Sequence, residues 1–252
     1  MPETFLILLA GGIMLAAAIS DPSAVILRWL RLAGIIALCM AGVAGVFVLR
    51  KSQIAKPQAA GITICIILIL GQLAFVQIAR REVQRAFAAA AFVAALMTGI
   101  FSLQLILAHP ANILPLAVAC AFATATMGLS LMDMLLGHAY LNAANMTMTP
   151  FVRLNLALAI AMICRAILSI AGTIIVQVIH PMEMFWGLFG LYIGTRWLVG
   201  FLVPGIFIYM AHDCIKRRAT QSATGILYVA NVLIFIGEII GLYLMSQTGM
   251  PL

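Results

Sequence analysis

Arg165 lies inside LALAIAMICRAILSIAGTIIVQVI and Arg196 inside FWGLFGLYIGTRWLVGFLVPGIFIYM, two stretches that are otherwise apolar, while Asp133 and Glu238 occupy the stretches on either side. At bilayer depth a charged side chain costs roughly 2.5–3.5 kcal/mol on insertion scales, so each of these needs a partner or a task. A guanidinium offers several donors to a carbonyl or an anion, and a carboxyl accepts or delivers a proton. The chemistry implied is therefore ligand binding coupled to proton transfer. Two cations and two anions sum to zero, which equally suits a structural latch in which Arg165 or Arg196 pairs with Glu238.

Other polar residues surround these charges. At about 100° per residue, Tyr192 and Gly200 share the face of Arg196, and Trp197 beside it is placed to stack on a bound ring or to pack. Asn231 repeats with Thr224 and Glu238 every seven residues. Asp133 lines up with Thr126, Ser130, Gly137 and Tyr140, and Arg165 with Ser169, Gly172, Thr173 and His180. Ligand binding or proton transfer is assigned to Arg165, Arg196, Asp133, Glu238, Asn231, Tyr192 and Trp197. No HExxH, GxSxG or acid-rich cluster is present, so no catalytic residue and no metal site is assigned.

The elements that must position these groups follow from composition. The chain has 252 residues, 65% hydrophobic and 8% charged, and a mean hydropathy of +1.19. A soluble domain carries about a quarter charged residues. An apolar run of about 20 residues spans hydrocarbon as a helix, because only a closed backbone hydrogen-bond ladder survives without water. Eight such runs are read at 4–20, 24–49, 59–79, 86–108, 112–137, 151–179, 184–211 and 223–247. The fold class is all-α, a polytopic integral membrane helical bundle of about eight transmembrane helices. The first run has no Lys or Arg ahead of it and reads as a retained helix rather than a cleaved signal. Residues 1–110 form an apolar half suited to packing or partner contact, and 111–252 hold the polar cluster, both within one membrane domain.

If all eight runs cross, Arg28, Arg31, Arg80, Arg81, Arg85, Arg153, Lys216, Arg217 and Arg218 share one side, against Arg50, Lys51 and Lys56 on the other. The positive-inside rule makes the first side cytoplasmic and puts both termini outside. The basic cluster after the second run dissents, and a mis-split helix among the first three would explain it. By rise per residue Arg165, Arg196 and Glu238 fall near one depth, with Asp133 closer to the cytoplasmic side. Pro204 predicts a kink in the seventh run. Gly190 and Gly194, on the face opposite Arg196, predict a second protein contact there.

The net charge of +7 comes from basic residues scattered at the ends of the runs, which fits lipid headgroups and topology signals and excludes a nucleic-acid surface. Five cysteines without ligand spacing read as packing residues. His109, His138, His180 and His212 fall at helix ends on alternating sides, so His109 with His180 and His138 with His212 could supply axial ligands to b-type haems. The reading that unites these features is an integral membrane subunit of an electron-transfer complex, respiratory or photosynthetic in type, in a bacterial cytoplasmic membrane. It binds quinone or a lipid-like ligand between the fifth and eighth runs, contacts lipids and partner subunits, and reads as a non-catalytic or quinone-binding membrane subunit in preference to an independent enzyme, a point the residues leave open. A secondary transporter or channel for a small anionic or polar solute is the second reading. A structural or assembly subunit without its own chemistry is the third.

Overall fold

The structure, a computed structural model, describes residues 1–21, 24–51, 55–78, 80–108, 112–141, 147–179 and 188–252. The helices are α1 (Pro2–Ile19), α2 (Leu27–Leu49), α3 (Lys56–Gln77), α4 (Arg81–Gln104), α5 (Ile113–Leu141), α6 (Thr149–Ile179), α7 (Leu188–Trp197), α8 (Val203–Lys216) and α9 (Thr220–Thr248). A π-helical turn at Leu198–Leu202 joins α7 to α8. Counting α7, this turn and α8 as one span, eight helices are long and apolar enough to cross a membrane. Among the described residues there is no strand.

The chain folds around α1. This helix packs against α2, α4 and α5, and 67% of it is buried, more than of any other span. Lipid tails are as apolar as leucine, so close packing rather than water exclusion must hold such helices together. Gly12 of α1 and Gly128 of α5 meet backbone to backbone: a Cβ on either would collide with the main chain of the other helix. Inter-helix hydrogen bonds add to this contact. Trp29 Nε1 on α2 donates to the Met132 carbonyl on α5 at 3.2 Å, Gln58 Nε2 on α3 donates to Ser102 Oγ on α4 at 2.8 Å, and Arg85 Nε donates to the Ala18 carbonyl at 3.1 Å. The sequence reading assigned all the polar machinery to the second half. The first half in fact buries Glu3, Gln58, Gln72 and Gln84 and uses several of them as ties.

In the second half α6 packs on α5 and α8, and α9 packs on α5, α7, the π turn and α8. One face of α6, made of Ile160, Ile163, Ile167, Ile170 and Ile174, is exposed at helical spacing and suits acyl chains. The π turn has a sequence cause. Pro204 has no N–H to give to the carbonyl four residues back, and the helix widens just ahead of it so that the Val203 N–H bonds to Leu198 O, five residues away.

Two expectations are corrected. α2 and α3 are intact helices, so no mis-split explains the basic cluster after the second span. Instead Lys51 forms an ion pair with the buried Glu3, a partner that offsets one of those positive charges. The second contact expected on α7 is absent at Gly194, where an added Cβ would meet nothing within 4 Å.

Gly128→Val should therefore loosen the α1–α5 contact, with a loss of about 1–3 kcal/mol typical of overpacking or more, whereas Gly194→Ala should leave stability unchanged or slightly raised. Reversible unfolding in mixed detergent micelles checks the pair, and equal stability of the two variants would refute the packing assignment.

Candidate functional site

Glu238 of α9 is shared by both arginines. Its Oε1 accepts from Arg196 Nη2 at 3.0 Å and its Oε2 from Arg165 Nε at 3.4 Å, with all three side chains no more than 1% exposed. The depth argument brings these residues to one level, and α6, α7 and α9 turn them toward one another. Arg196 fits because α9 presents glycine beside it. A Cβ on Gly241 would lie 2.9 Å from Arg196 Cζ, and one on Gly237 would strike the Gly200 backbone. Arg196 also lies over the ring of Phe201, with Cζ 4.2 Å from the centroid. The two residues are five apart, and i→i+5 pairing in the π turn aligns residues at that spacing.

The remaining donors are only partly used. Arg165 Nη2 donates to the backbone oxygen of Leu252 at 2.6 Å and lies 3.5 Å from Met245 Sδ. Arg165 Nη1 and Arg196 Nε and Nη1 are buried without a partner. A buried unsatisfied donor costs about 1–3 kcal/mol, and more when charged. The three side chains sum to a charge of +1, from two guanidiniums and one carboxylate.

Asp133 belongs to a different cluster. Asn155 Nδ2 on α6 donates to Asp133 Oδ2 at 2.8 Å, while Asp133 Oδ1 has no partner. His212 Nδ1 on α8 lies 3.1 Å from Asn155 Oδ1. Because the Asn155 amide nitrogen faces Asp133, its oxygen is the acceptor and His212 Nδ1 carries the donated hydrogen, leaving Nε2 available to a ligand. Asn155 and His212 close one end of a groove of about 320 Å³ between α6 and α8, which continues along Leu156, Ala159, Met162, Ile163, Gly205, Ile208 and Tyr209. Leu156, Ile163 and Tyr209 are exposed, so the groove opens on the apolar surface. Asn155 and Arg165 are ten residues apart on α6, about 15 Å along its axis, so the groove and the arginine cluster are separate places.

The charge sum pointed to one cluster of four and missed Asn155. A signal was there. Asp133 lies eight residues before the end of α5 at Leu141 and Asn155 six after the start of α6 at Thr149, so the hairpin sets them nearly opposite each other.

The other assigned residues are dispersed. Asn231 Oδ1 accepts from Ser130 Oγ at 2.9 Å, tying α9 to α5 between the two clusters. Tyr192 packs edge-on to Tyr243 with centroids 5.2 Å apart, and Trp197 tilts against Phe201. The polar stripes are thinner than their residue types suggest: the hydroxyls of Thr126, Thr173 and Thr224 bond to carbonyls four residues back in their own helices. His109 and His180 lie outside the described residues. His138 lines a groove with Arg28, Trp29 and Leu135 between α2 and α5, and His212 lines the one between α6 and α8, so these two histidines occupy separate grooves. Among the described residues no group of three or more His, Cys, Asp and Glu forms a metal site.

No family model, curated protein or solved structure matches this chain.

The two-to-one stoichiometry of the arginine cluster makes its members unequal. Glu238→Leu strands two buried guanidiniums and should cost at least about 3–5 kcal/mol, the range for breaking a buried ion pair. Arg196→Met leaves a neutral Arg165–Glu238 pair and should cost at least about 2 kcal/mol less. Micelle unfolding titrations of both variants measure the difference, and a larger loss for Arg196→Met would contradict the shared-carboxylate geometry.

Proposed function

We propose that this protein is an integral membrane subunit of an electron-transfer complex and that it binds the headgroup of a quinone at the polar end of the groove between α6 and α8. The observation that supports this is the groove itself: apolar along its length, opening on the lipid-facing surface, and closed at one end by His212 and Asn155, with the buried Asp133 bonded to Asn155. Its volume of about 320 Å³ falls in the range of ligand sites, about 300–1,000 Å³. A quinone is an amphiphile of matching shape, with an isoprenoid tail for the apolar walls and a ring carbonyl for the polar end.

In this reading His212 Nε2 faces a ring oxygen as hydrogen-bond donor in its protonated form, or accepts the hydroxyl of the quinol. Reduction of a quinone takes two electrons and two protons. The electrons come from a redox partner subunit, and the protons pass through His212 with Asn155 orienting the ring and Asp133 holding Asn155. The sequence reading gave the quinone oxygen to Arg165 or Arg196. The geometry favours the His212 end instead, because both arginines are engaged with Glu238 and neither lines the groove.

Placement in the membrane follows the distribution of basic residues. His212 lies four residues before Lys216, Arg217 and Arg218 begin, so the positive-inside rule sets the groove's polar end in the cytoplasmic leaflet, with proton uptake from the cytoplasm of a bacterial cell and both termini on the opposite side. The exposed apolar faces of α2 and α3 are the surfaces proposed for partner subunits and lipid.

Native purification followed by lipid extraction tests the reading. Wild-type protein should retain quinone and co-purify with redox subunits, and His212→Leu should lower the retained quinone about tenfold, equivalent to losing about 1.4 kcal/mol. Gly194→Ala serves as the matched control. Quinone at the level of bulk lipid, or equal retention by His212→Leu, would defeat the proposal.

A further inference from the structure

Arg28 and Arg31 stand near the start of α2, three residues apart and so on one face, and both are exposed. Neither takes part in an ion pair among the described residues, where the carboxylates so engaged are those of Glu3, Asp213 and Glu238. α5 finishes beside them. His138, exposed in the last turn of α5, lines a groove of about 310 Å³ with Arg28, Leu32, Leu135 and Ala139. Trp29 forms the floor of this groove: it is 2% exposed, and its Nε1 donates to the Met132 carbonyl at 3.2 Å, which ties α2 to α5 at this point.

The two walls carry their chemistry in the same order. On α2 Arg28 is at the rim and Leu32 lies four residues deeper, and on α5 Leu135 comes three residues before His138 at the rim. At 1.5 Å per residue each wall changes from a nitrogen donor to an apolar side chain over about 4–6 Å. The α2 face continues toward mid-span with Ile35, 51% exposed. A guanidinium and an imidazole at the rim of one groove suit an oxyanion, and leucines one turn deeper suit hydrocarbon. The molecule that offers both is an amphiphile with its negative charge at headgroup level. A phosphodiester accepts charge-assisted bonds from a guanidinium, about twice as strong as neutral ones, and basic pockets between membrane helices hold such headgroups. Because Arg28 and Arg31 have no carboxylate beside them, a lipid of net negative charge is favoured over a zwitterionic one, whose own cation opposes them.

We propose that this groove is a binding site for one anionic glycerophospholipid. Its phosphodiester lies between Arg28 and His138, Arg31 adds to the field, and an acyl chain follows Leu32 and Leu135 into the bilayer. The lipid spans the α2–α5 seam as a structural partner. Its site is separate from the groove at His212 and does not depend on the quinone reading.

Native mass spectrometry of the full chain, stripped of lipid in detergent and titrated with single lipids, counts bound molecules directly. At its tightest site the protein should hold phosphatidylglycerol at least about fivefold more strongly than phosphatidylcholine with the same chains, the factor that corresponds to one basic residue near a membrane surface. Arg28→Gln should lower the affinity for phosphatidylglycerol about fivefold. Ala139→Phe, which fills the groove and leaves every charge in place, should lower it at least as much. Arg81→Gln is the control: this exposed residue opens α4 at the same end of the bundle, one turn from Arg85, which bonds to the end of α1. Its replacement removes the same charge outside the groove and should leave the affinity unchanged. Equal affinity for the two lipids, an equal loss in Arg81→Gln and Arg28→Gln, or undiminished binding by Ala139→Phe overturns the proposal. Should Ala139→Phe fail to fold, competition decides. Glycerophosphoglycerol, the same headgroup without chains, should not displace the lipid at equal concentration, and displacement overturns the proposal in favour of a site for free phosphodiesters.

Discussion

One carboxylate between two guanidiniums sets the terms for the second half of this bundle. Glu238 cannot be solvated at its depth and neither can Arg165 or Arg196, so α6, α7 and α9 must hold a register in which both Glu238 oxygens are reached. That demand propagates outward. Arg196 has space only because Gly237 and Gly241 line α9 at the contact, and Gly200 and Gly237 allow the two backbones to touch. A guanidinium is planar and rigid, so the helices conform to it rather than the reverse. The register of α9 against α7 is therefore fixed by polar geometry where a soluble bundle would use interdigitated apolar side chains.

The wide turn at Leu198–Leu202 is best understood within that constraint. Pro204 withholds one backbone donor, which by itself permits a kink or a widened turn. The π turn adds a residue to the circumference without bending the span away from α9, and it lines up Phe201 beneath Arg196. Buried cations over aromatic rings gain up to about 2 kcal/mol, which offsets part of the cost of the unpaired nitrogens. A local irregularity caused by one proline thus becomes part of the arginine's surroundings.

How much of this was legible beforehand can be argued residue by residue. The eight spans were readable because hydrocarbon tolerates so few backbone solutions, and the meeting of Arg165, Arg196 and Glu238 followed from their sign and depth. Asp133 was drawn into the same cluster by a charge sum of zero, yet its partner is Asn155, a neutral residue that charge counting ignores and that only the register of the α5–α6 hairpin reveals. Threonines counted as polar surface turned out to be satisfied by their own helices, because a hydroxyl one turn from a carbonyl needs no neighbour. The Glu3–Lys51 pair and the return of residues 249–252 onto α6 depend on which helices lie adjacent, which no periodicity within a single helix encodes.

The two halves also leave different kinds of polar debt unsettled. In the first, the buried atoms without partners are neutral: Thr4 Oγ1, Gln58 Oε1, Gln72 Oε1 and Gln84 Nε2. Gln72 Oε1 lies against Gly34 of α2, where an added Cβ would collide with it, and an unmatched neutral group of this kind costs about 1–3 kcal/mol, a loss that dense packing can offset. In the second half they include nitrogens of two cations and an oxygen of Asp133, groups whose desolvation is far more expensive and which packing alone does not repair. Charged groups left incomplete in a closed interior mark the places where a proton, an anion or a polar headgroup would lower the free energy most. That difference in kind, more than the number of polar residues, is the physical reason for locating ligand chemistry in α5 to α9 and a scaffolding role in α1 to α4.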